Sequence, residues 1–319
     1  MMDVLKLADS IIDGSRLKRE DNLDFFFTAD LSELCKGADK IRTLLCGNHA
    51  ELCSIINGRS GKCSEDCKFC AQSARHCTKI DSYEFIDENK IIDECKYNES
   101  KGIHRFSIVT AGRTLSKTDF EKALSAYNHI KSECRIELCA SHGLLTDKQF
   151  SKLYEEGVSR YHCNIETSRR FFPNICTTHT YDDKINCIKI AKKNDFSICS
   201  GGIIGMGETW ADRLDMALSL AELEVDSIPI NFLIPIKGTP LENAKKLTYD
   251  DIMRTVAIFR YINPAVYIRL AGGRSLINNA GKQVFLSGAN SAISGDMLTT
   301  TGSDIDSDIK MLKSIGFEL

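Results

Sequence analysis

Short runs of β-branched residues alternate with longer helical stretches, and this alternation restricts the fold more than any other feature of the chain. The runs that predict strands span residues 52–57, 103–110, 136–140, 161–165, 197–203, 227–233, 265–270 and 290–293. Each interval between them is long enough for the crossover helix that joins two parallel strands. About eight βα units predict an α/β fold, a (βα)8 TIM-type barrel, with a doubly wound open sheet as the alternative.

The barrel is predicted to form one domain over residues 1–319, with residues 1–45 as a short helical N-terminal extension. The chain has 5 prolines and no low-complexity linker, so nothing indicates a domain boundary. One predicted helix, residues 119–131, places apolar residues such as Phe120 and Tyr127 on one face. Because the carboxyl ends of barrel strands converge on one mouth, we expect the chemistry in the loops that follow the strands.

Composition excludes several classes of function. The 43% hydrophobic content rules out a disordered chain. Lys and Arg number 41 against 44 Asp and Glu, for a formal charge of −3, whereas nucleic-acid binding needs clustered basic residues. No apolar run approaches the ~18 residues of a membrane span, and the N-terminus lacks the layout of a signal peptide. We therefore expect a cytoplasmic protein that binds neither nucleic acid nor membranes.

The 14 cysteines are many for a cytoplasmic chain, whose thiols stay reduced. Cys63, Cys67 and Cys70 form a Cys-x3-Cys-x2-Cys pattern just after the first predicted strand, with Phe69 before the last cysteine. Three thiolates this close can bind one soft metal centre, and they are one ligand short of a closed zinc or iron–sulfur site. The pattern therefore predicts a metal centre with one open position.

Four blocks in order, CSEDCKFCAQSAR, ICSGGIIGMGET, SIPINFLIPIKGTPL and YIRLAGGR, resemble the biotin synthases, a family of radical S-adenosylmethionine enzymes. The resemblance runs from about Ser54 onward. It implies that the cysteine triplet holds a [4Fe–4S] cluster, that the open iron binds S-adenosylmethionine, and that Phe69 packs by the adenine. It also implies sulfur insertion into dethiobiotin to form biotin, with the sulfur donated by an auxiliary iron–sulfur cluster, [2Fe–2S] or a variant. A flavodoxin- or ferredoxin-type reductant and a homodimer are implied as well.

The resemblance implies an auxiliary cluster held by three cysteines and an arginine. Cys139, Cys199 and Arg269 match three of these positions, but Ser107 stands where the third cysteine is usual. A serine hydroxyl is a poor iron ligand beside thiolates. We hypothesise that Cys163, on the fourth predicted strand, replaces the missing ligand. Strand alternation counts against this, since it turns Cys163 to the face opposite its two neighbours in the chain.

Further residues are implied to bind substrate and cofactor. Asn164 and Asn231 match asparagines expected to hydrogen-bond the ureido ring of dethiobiotin, because an amide offers both donor and acceptor. The residues implied on the S-adenosylmethionine side, besides Phe69, are Glu166 at a ribose hydroxyl, Lys184 at a carboxylate, and Gly205 and Gly207 by the adenine.

Two alternatives remain open from the sequence. One is a radical S-adenosylmethionine enzyme that inserts no sulfur, which the serine at position 107 supports. The other is a non-catalytic zinc or iron–sulfur protein, with His76 or Cys77 as the fourth ligand of a closed site. No motif assigns a role to the remaining cysteines, which are Cys35, Cys46, Cys53, Cys77, Cys95, Cys134, Cys176 and Cys187.

Overall fold

The structure, a computed structural model, describes residues 2–299 and 302–319. Its strands are β1 Glu51–Arg59, β2 Arg105–Thr110, β3 Glu137–Ser141, β4 Val158–His162, β5 Ser197–Cys199, β6 Gly202–Ile204, β7 Ser227–Phe232, β8 Tyr267–Leu270 and β9 Ser291–Ile293. Its helices are α1 Val4–Ile12, α2 Leu31–Cys46, α3 Glu88–Ser100, α4 Lys117–Glu133, α5 Asp147–Glu155, α6 Tyr181–Lys193, α7 Trp210–Glu222, α8 Tyr249–Ile262, α9 Lys282–Phe285 and α10 Ile305–Ser314.

The strands form a closed parallel barrel. They pair in the order β5-β4-β3-β2-β1-β9-β8-β7-β6, and β5 also pairs with β7, which closes the ring. Because β5 and β6 are two pieces of one barrel strand, the ring has eight strand positions, as the sequence predicts. This closure excludes the doubly wound open sheet.

Two predicted strands differ from the structure. The fourth runs over Val158–His162 rather than residues 161–165, and the fifth breaks at Ser200 and Gly201. At the break the backbone passes close to β7, because a Cβ atom on Gly201 would lie 2.0 Å from the carbonyl oxygen of Pro229. Only glycine allows this approach. Both differences bear on which side chains face the barrel interior.

Three helices in the later βα units begin with the same capping pattern. Thr180, Thr209 and Thr248 each cap a helix and accept a hydrogen bond from the backbone N–H three residues on. The aspartate at that third position accepts the N–H of the capping threonine in return, which completes a capping box. Each cap ends its loop at a defined residue.

The N-terminal extension packs against the barrel helices. Its first two helices contact each other, and α2 contacts α8. Tyr261 of α8 donates a hydrogen bond from its hydroxyl to the carbonyl of Val4 over 2.9 Å, and Arg254 donates to the carbonyl of Phe26 over 2.8 Å. These contacts fix the extension on the outer ring. In residues 2–299 and 302–319, no helix combines the length and apolar character that crossing a membrane requires.

Candidate active site

A cavity of about 410 Å³ opens at the carboxyl ends of the barrel strands, where the barrel predicts the chemistry. Its volume lies in the range of small-molecule sites, roughly 300–1,000 Å³. Two groups of three cysteines line it. One group comes from the loop after β1, at the mouth. The other comes from the strands themselves, deeper in the barrel.

The mouth group consists of Cys63, Cys67 and Cys70, and Phe69 lines the cavity beside them. Short backbone hydrogen bonds shape this loop, from the Cys70 N–H to the Cys67 carbonyl over 2.9 Å and from the Cys63 N–H to the Gln72 carbonyl over 3.0 Å. Burial raises the pKa of the Cys70 thiol to about 11 and also raises the pKa of Cys63. Three soft ligands facing one cavity fit a cluster with an open iron.

The positions of His76 and Cys77 do not support the alternative of a closed zinc site. The Nδ1 atom of His76 lies 2.9 Å from the carbonyl oxygen of Cys70, and Cys77 is exposed. Neither residue lines the cavity that the three cysteines face.

The deep group consists of Cys53, Cys139 and Cys199, each 4% exposed. A hydrogen bond from Cys53 lowers the pKa of the Cys139 thiol despite its burial. Burial opposes ionisation of Cys199, but His162 and Arg269 outweigh it and lower the pKa of its thiol. Three thiols that converge in one dry recess, two of them predisposed to ionise, fit an iron–sulfur centre.

Cys53 is the deep cysteine to which the sequence analysis assigned no role. Ser107 does line the cavity, in register with Cys139 on β3 and Ile55 on β1. The adjacent strand β1 therefore places a thiol, that of Cys53, on the same cavity two residues before Ile55. The signal was available, because residues 53 and 55 of a strand share a face.

Cys163 is not among the residues that line the cavity, contrary to what the hypothesis drawn from the sequence requires. His162, Asn164 and Glu166 all line the cavity, and Cys163 between them does not. Its thiol is instead buried, and its interaction with Cys187 of α6 lowers its pKa. The alternation of β4 continues past the end of the strand, so the thiol turns outward.

A buried ionic group closes the barrel beneath the deep cysteines. The Glu51 carboxylate accepts a hydrogen bond from Arg105 Nε and another from Arg160 Nη1, each over 2.8 Å, and it also pairs with Arg269 Nη2. Burial opposes ionisation of Glu51, but the three guanidinium groups lower its pKa to about 2. Three cations face one carboxylate, and the excess positive charge favours an anionic centre above them.

Arg269 acts in this structure as a charged hydrogen-bond donor. Its Nε donates to Ser291 Oγ over 2.8 Å, its Nη2 pairs with Glu51, and its Nη1 lies 3.5 Å from Cys199 Sγ. Burial opposes its charge, but Cys53, Cys199 and Glu51 outweigh it and raise its pKa. A permanently charged guanidinium at this distance stabilises the thiolate form of Cys199.

Asn164 and Asn231 line the cavity, and both side chains also tie its walls together. Asn164 Oδ1 accepts the N–H of Gly201 over 3.0 Å, and Asn231 Oδ1 accepts the N–H of Gly272 over 2.9 Å. Asn231 Nδ2 donates to the Gly202 carbonyl over 3.1 Å. The amides are thus held rigidly at the positions expected for substrate contact.

The residues expected on the S-adenosylmethionine side divide into two sets. Glu166 and Lys184 line the cavity together. Burial opposes the charge of Lys184, but Cys163 and Glu166 outweigh it and raise its pKa. Gly205 and Gly207 are absent from the described lining and form a turn with φ of 96° and 102°. The structure therefore brings the first pair to the site and leaves the two glycines outside it.

Two family models match the chain. The radical SAM superfamily matches residues 59–220, and the biotin and thiamin synthesis associated domain matches residues 229–318. Biotin synthase from Alkaliphilus metalliredigens is 61% identical over 318 residues, which cover 100% of both chains. Biotin synthase from Clostridium beijerinckii is 59% identical over 98% of this chain and 99% of its own.

Solved structures share the fold at low identity. Methylornithine synthase superposes with a TM-score of 0.84 at 20% identity, over 98% of this chain and 96% of that one. A hydrogenase maturase from Carboxydothermus hydrogenoformans gives 0.81 at 16% identity, over 98% of this chain and 78% of that one. With the two cysteine groups on one cavity and full-length relatives at this identity, the chain belongs to the biotin synthase family of radical S-adenosylmethionine enzymes.

Proposed function

We propose that this chain converts dethiobiotin to biotin by S-adenosylmethionine-dependent sulfur insertion. Cys63, Cys67 and Cys70 hold the [4Fe–4S] cluster at the mouth, and the deep cysteines hold the sulfur-donating cluster. The observation that carries the proposal is the pair of three-cysteine groups on one cavity of about 410 Å³. A radical enzyme that inserts no sulfur has no need for the deep group.

The bound cluster and S-adenosylmethionine supply the radical chemistry that unactivated C–H bonds require. The chain itself positions the reactants and excludes water. Cys53, Cys139 and Cys199 offer three soft donors in a recess where each is 4% exposed. Arg269 donates toward Cys199, and the arginines around Glu51 favour the anionic forms of Cys139 and Cys199. Substrate between the two groups contacts the amides of Asn164 and Asn231.

Both matched regions contribute to the same site, which supports one functional domain over residues 1–319. The radical SAM region supplies the mouth cysteines and Cys139 and Cys199, whereas Arg269 comes from the associated domain. Strands of both regions close a single barrel. Neither region can form the cavity alone.

Replacement of Cys53 by alanine tests the ligand assignment. Cys163→Ala is the matched control, because the two thiols are 4% and 5% exposed and only Cys53 lines the cavity. After anaerobic reconstitution, Cys53→Ala should lose the iron and sulfide of the auxiliary cluster and retain a cluster whose spectrum responds to S-adenosylmethionine. Cys163→Ala should keep the wild-type iron and sulfide content.

Formation of biotin from dethiobiotin with reductant and S-adenosylmethionine completes the test. We expect activity in the wild type and in Cys163→Ala but not in Cys53→Ala. Full iron content in Cys53→Ala, or a loss confined to Cys163→Ala, would overturn the ligand set. Absence of biotin from a fully reconstituted wild type would overturn the function itself.

The electron donor and the assembly are further parts of the proposal, and both rest on the family resemblance. We expect a flavodoxin- or ferredoxin-type protein to reduce the mouth cluster, and the chain to form a homodimer. Spectroscopic reduction of the reconstituted protein by each carrier, and sedimentation of the same sample, test the two expectations. A monomer at micromolar concentration would contradict the second.

A further inference from the structure

Cys176 is a buried thiol to which the proposed function assigns no role. It follows a one-turn helix, Phe172–Asn174, after β4. Its Sγ lies 3.7 Å from the Sγ of Cys67, and 3.3 Å and 3.8 Å from the Nδ1 and Nε2 atoms of His179. Ligand atoms of these three residues lie within 4.8 Å of one another. We call this group the Cys176 site.

The sulfur–sulfur spacing of the Cys176 site matches a tetrahedral metal centre. Zinc binds thiolate sulfur at about 2.3 Å and imidazole nitrogen at about 2.0–2.1 Å, so tetrahedral angles place two sulfurs about 3.8 Å apart and sulfur from nitrogen about 3.5 Å. The observed sulfur–sulfur distance is 3.7 Å, and the Cys176 Sγ to His179 Nε2 distance is 3.8 Å. Because Cys176 Sγ also lies 3.3 Å from Nδ1, the imidazole of His179 must turn about its Cβ–Cγ bond before Nε2 points at an ion between the two sulfurs.

Glu65 sets the tautomer of His179 that such an ion needs. Its Oε2 lies 2.5 Å from His179 Nδ1, and both side chains are largely buried. A carboxylate acceptor holds the proton on Nδ1 and leaves the lone pair of Nε2 free. This carboxylate–histidine arrangement accompanies most histidine metal ligands.

The fourth position of the Cys176 site opens to the cavity, which Cys67 and His179 both line. Asp66 Oδ1 lies 3.3 Å from Cys176 Sγ, but it also accepts the N–H groups of Thr177 over 2.9 Å and Thr178 over 3.2 Å. Asp66 therefore fixes the loop that carries Cys176, and water can complete the tetrahedron. Thiolate and imidazole donors favour zinc over magnesium or calcium.

We propose that the chain without its mouth cluster binds one soft divalent cation, with Zn²⁺ as the probe, at Cys67, Cys176 and His179. Because the cation and the [4Fe–4S] cluster both need Cys67, the two cannot be bound together, and zinc blocks cluster assembly. The binding itself rests only on the geometry of the Cys176 site. The exclusion of the cluster rests also on the proposed assignment of Cys67.

Cobalt(II) titration of the reduced, metal-free full-length chain tests the binding. We expect the absorption of tetrahedral cobalt with two thiolate ligands, displaced by one equivalent of Zn²⁺. Cys176→Ala should lose this spectrum. Cys187→Ala, which removes another thiol of 3% exposure outside the site, should keep it. Glu65→Gln should weaken binding about 10- to 100-fold, as for other carboxylates that hydrogen-bond a metal-binding histidine.

The double variant Cys63→Ala/Cys70→Ala separates the Cys176 site from the mouth triplet. It should bind cobalt like the wild type, because it retains all three ligands. Cobalt binding lost in the double variant and kept in Cys176→Ala would overturn the proposal. If circular dichroism shows Cys176→Ala unfolded, His179→Gln serves in its place.

Reconstitution with iron and sulfide in the presence of one equivalent of Zn²⁺ tests the exclusion. Iron content should fall in the wild type and be restored in Cys176→Ala, and equal iron in both proteins would overturn the exclusion. Without zinc, Cys176→Ala should build a cluster that responds to S-adenosylmethionine. Failure of that cluster in the wild type would instead refute the proposed function.

Discussion

Replacement of Glu51 by glutamine probes the ionic group beneath the deep cysteines. The Glu51 carboxylate is 7% exposed and faces Arg105, Arg160 and Arg269. Glutamine keeps the size of the side chain and removes only the charge. The variant therefore removes the one carboxylate that these three buried cations share.

The magnitude follows from the pKa of Glu51, which is lowered from 4.5 to about 2. Since one pKa unit equals about 1.4 kcal/mol, the ionised carboxylate contributes about 3 kcal/mol at neutral pH. Removal of one partner of a buried ion pair costs a similar 3–5 kcal/mol. For a chain of this length the loss corresponds to a Tm lower by about 5 °C.

Urea denaturation of the reduced, metal-free protein measures the change. Because the folded-state pKa is depressed, the contribution is complete above pH 4.5 and is lost as the pH falls towards 2. The stability gap between wild type and Glu51→Gln should therefore be about 3 kcal/mol at pH 7 and should shrink below pH 4.5. Glu137→Gln is the control, because this carboxylate also pairs with Arg105 but is 58% exposed, and it should cost less than about 1 kcal/mol. Equal losses in both variants, or a gap independent of pH, would refute the reasoning.

Two further predictions concern the barrel wall. Burial lowers the pKa of His142 to about 3. The free energy of unfolding should therefore fall by about 1.4 kcal/mol per pH unit as the pH falls from 6.5 towards 3. In urea denaturation, His142→Gln should flatten this slope. Parallel pH profiles for the two proteins would contradict it. In Gly202→Ala the new Cβ would lie 2.2 Å from the Glu166 carbonyl oxygen. This overpacking should lower the free energy of unfolding by about 1–3 kcal/mol. A loss below about 0.5 kcal/mol would falsify this contact.

The fold could be predicted because its signals are local. Strand and helix periodicities depend on neighbours in the chain, and the order of βα units then leaves few topologies. The two strands whose bounds were predicted wrongly are those whose ends depend on contacts between residues far apart in the chain. The break at Gly201 results from the close approach of β7, and the end of β4 at His162 depends on pairing with β3 and β5.

For the candidate site as well, the sequence predicts the local part and misses the part that depends on distant residues. The spacing of Cys63, Cys67 and Cys70 identifies the mouth centre, because one short loop holds all its ligands. The deep group joins three strands. Strand alternation places Cys53 and Ile55 on one face, but only the register of the barrel brings that face beside Cys139. Resemblance pointed to position 107, whereas the adjacent strand places the thiol of Cys53 on the cavity.

By itself the sequence determined the barrel, the family and the mouth triplet, since each is encoded in residues close together in the chain. Only the tertiary structure decided that Cys53 faces the cavity, that Cys163 faces α6, and that Cys176 lies 3.7 Å from Cys67. The physical reason is that strand pairing and closure of the barrel set which side chains point inward. Thiols 109 positions apart in the chain become neighbours only through that closure.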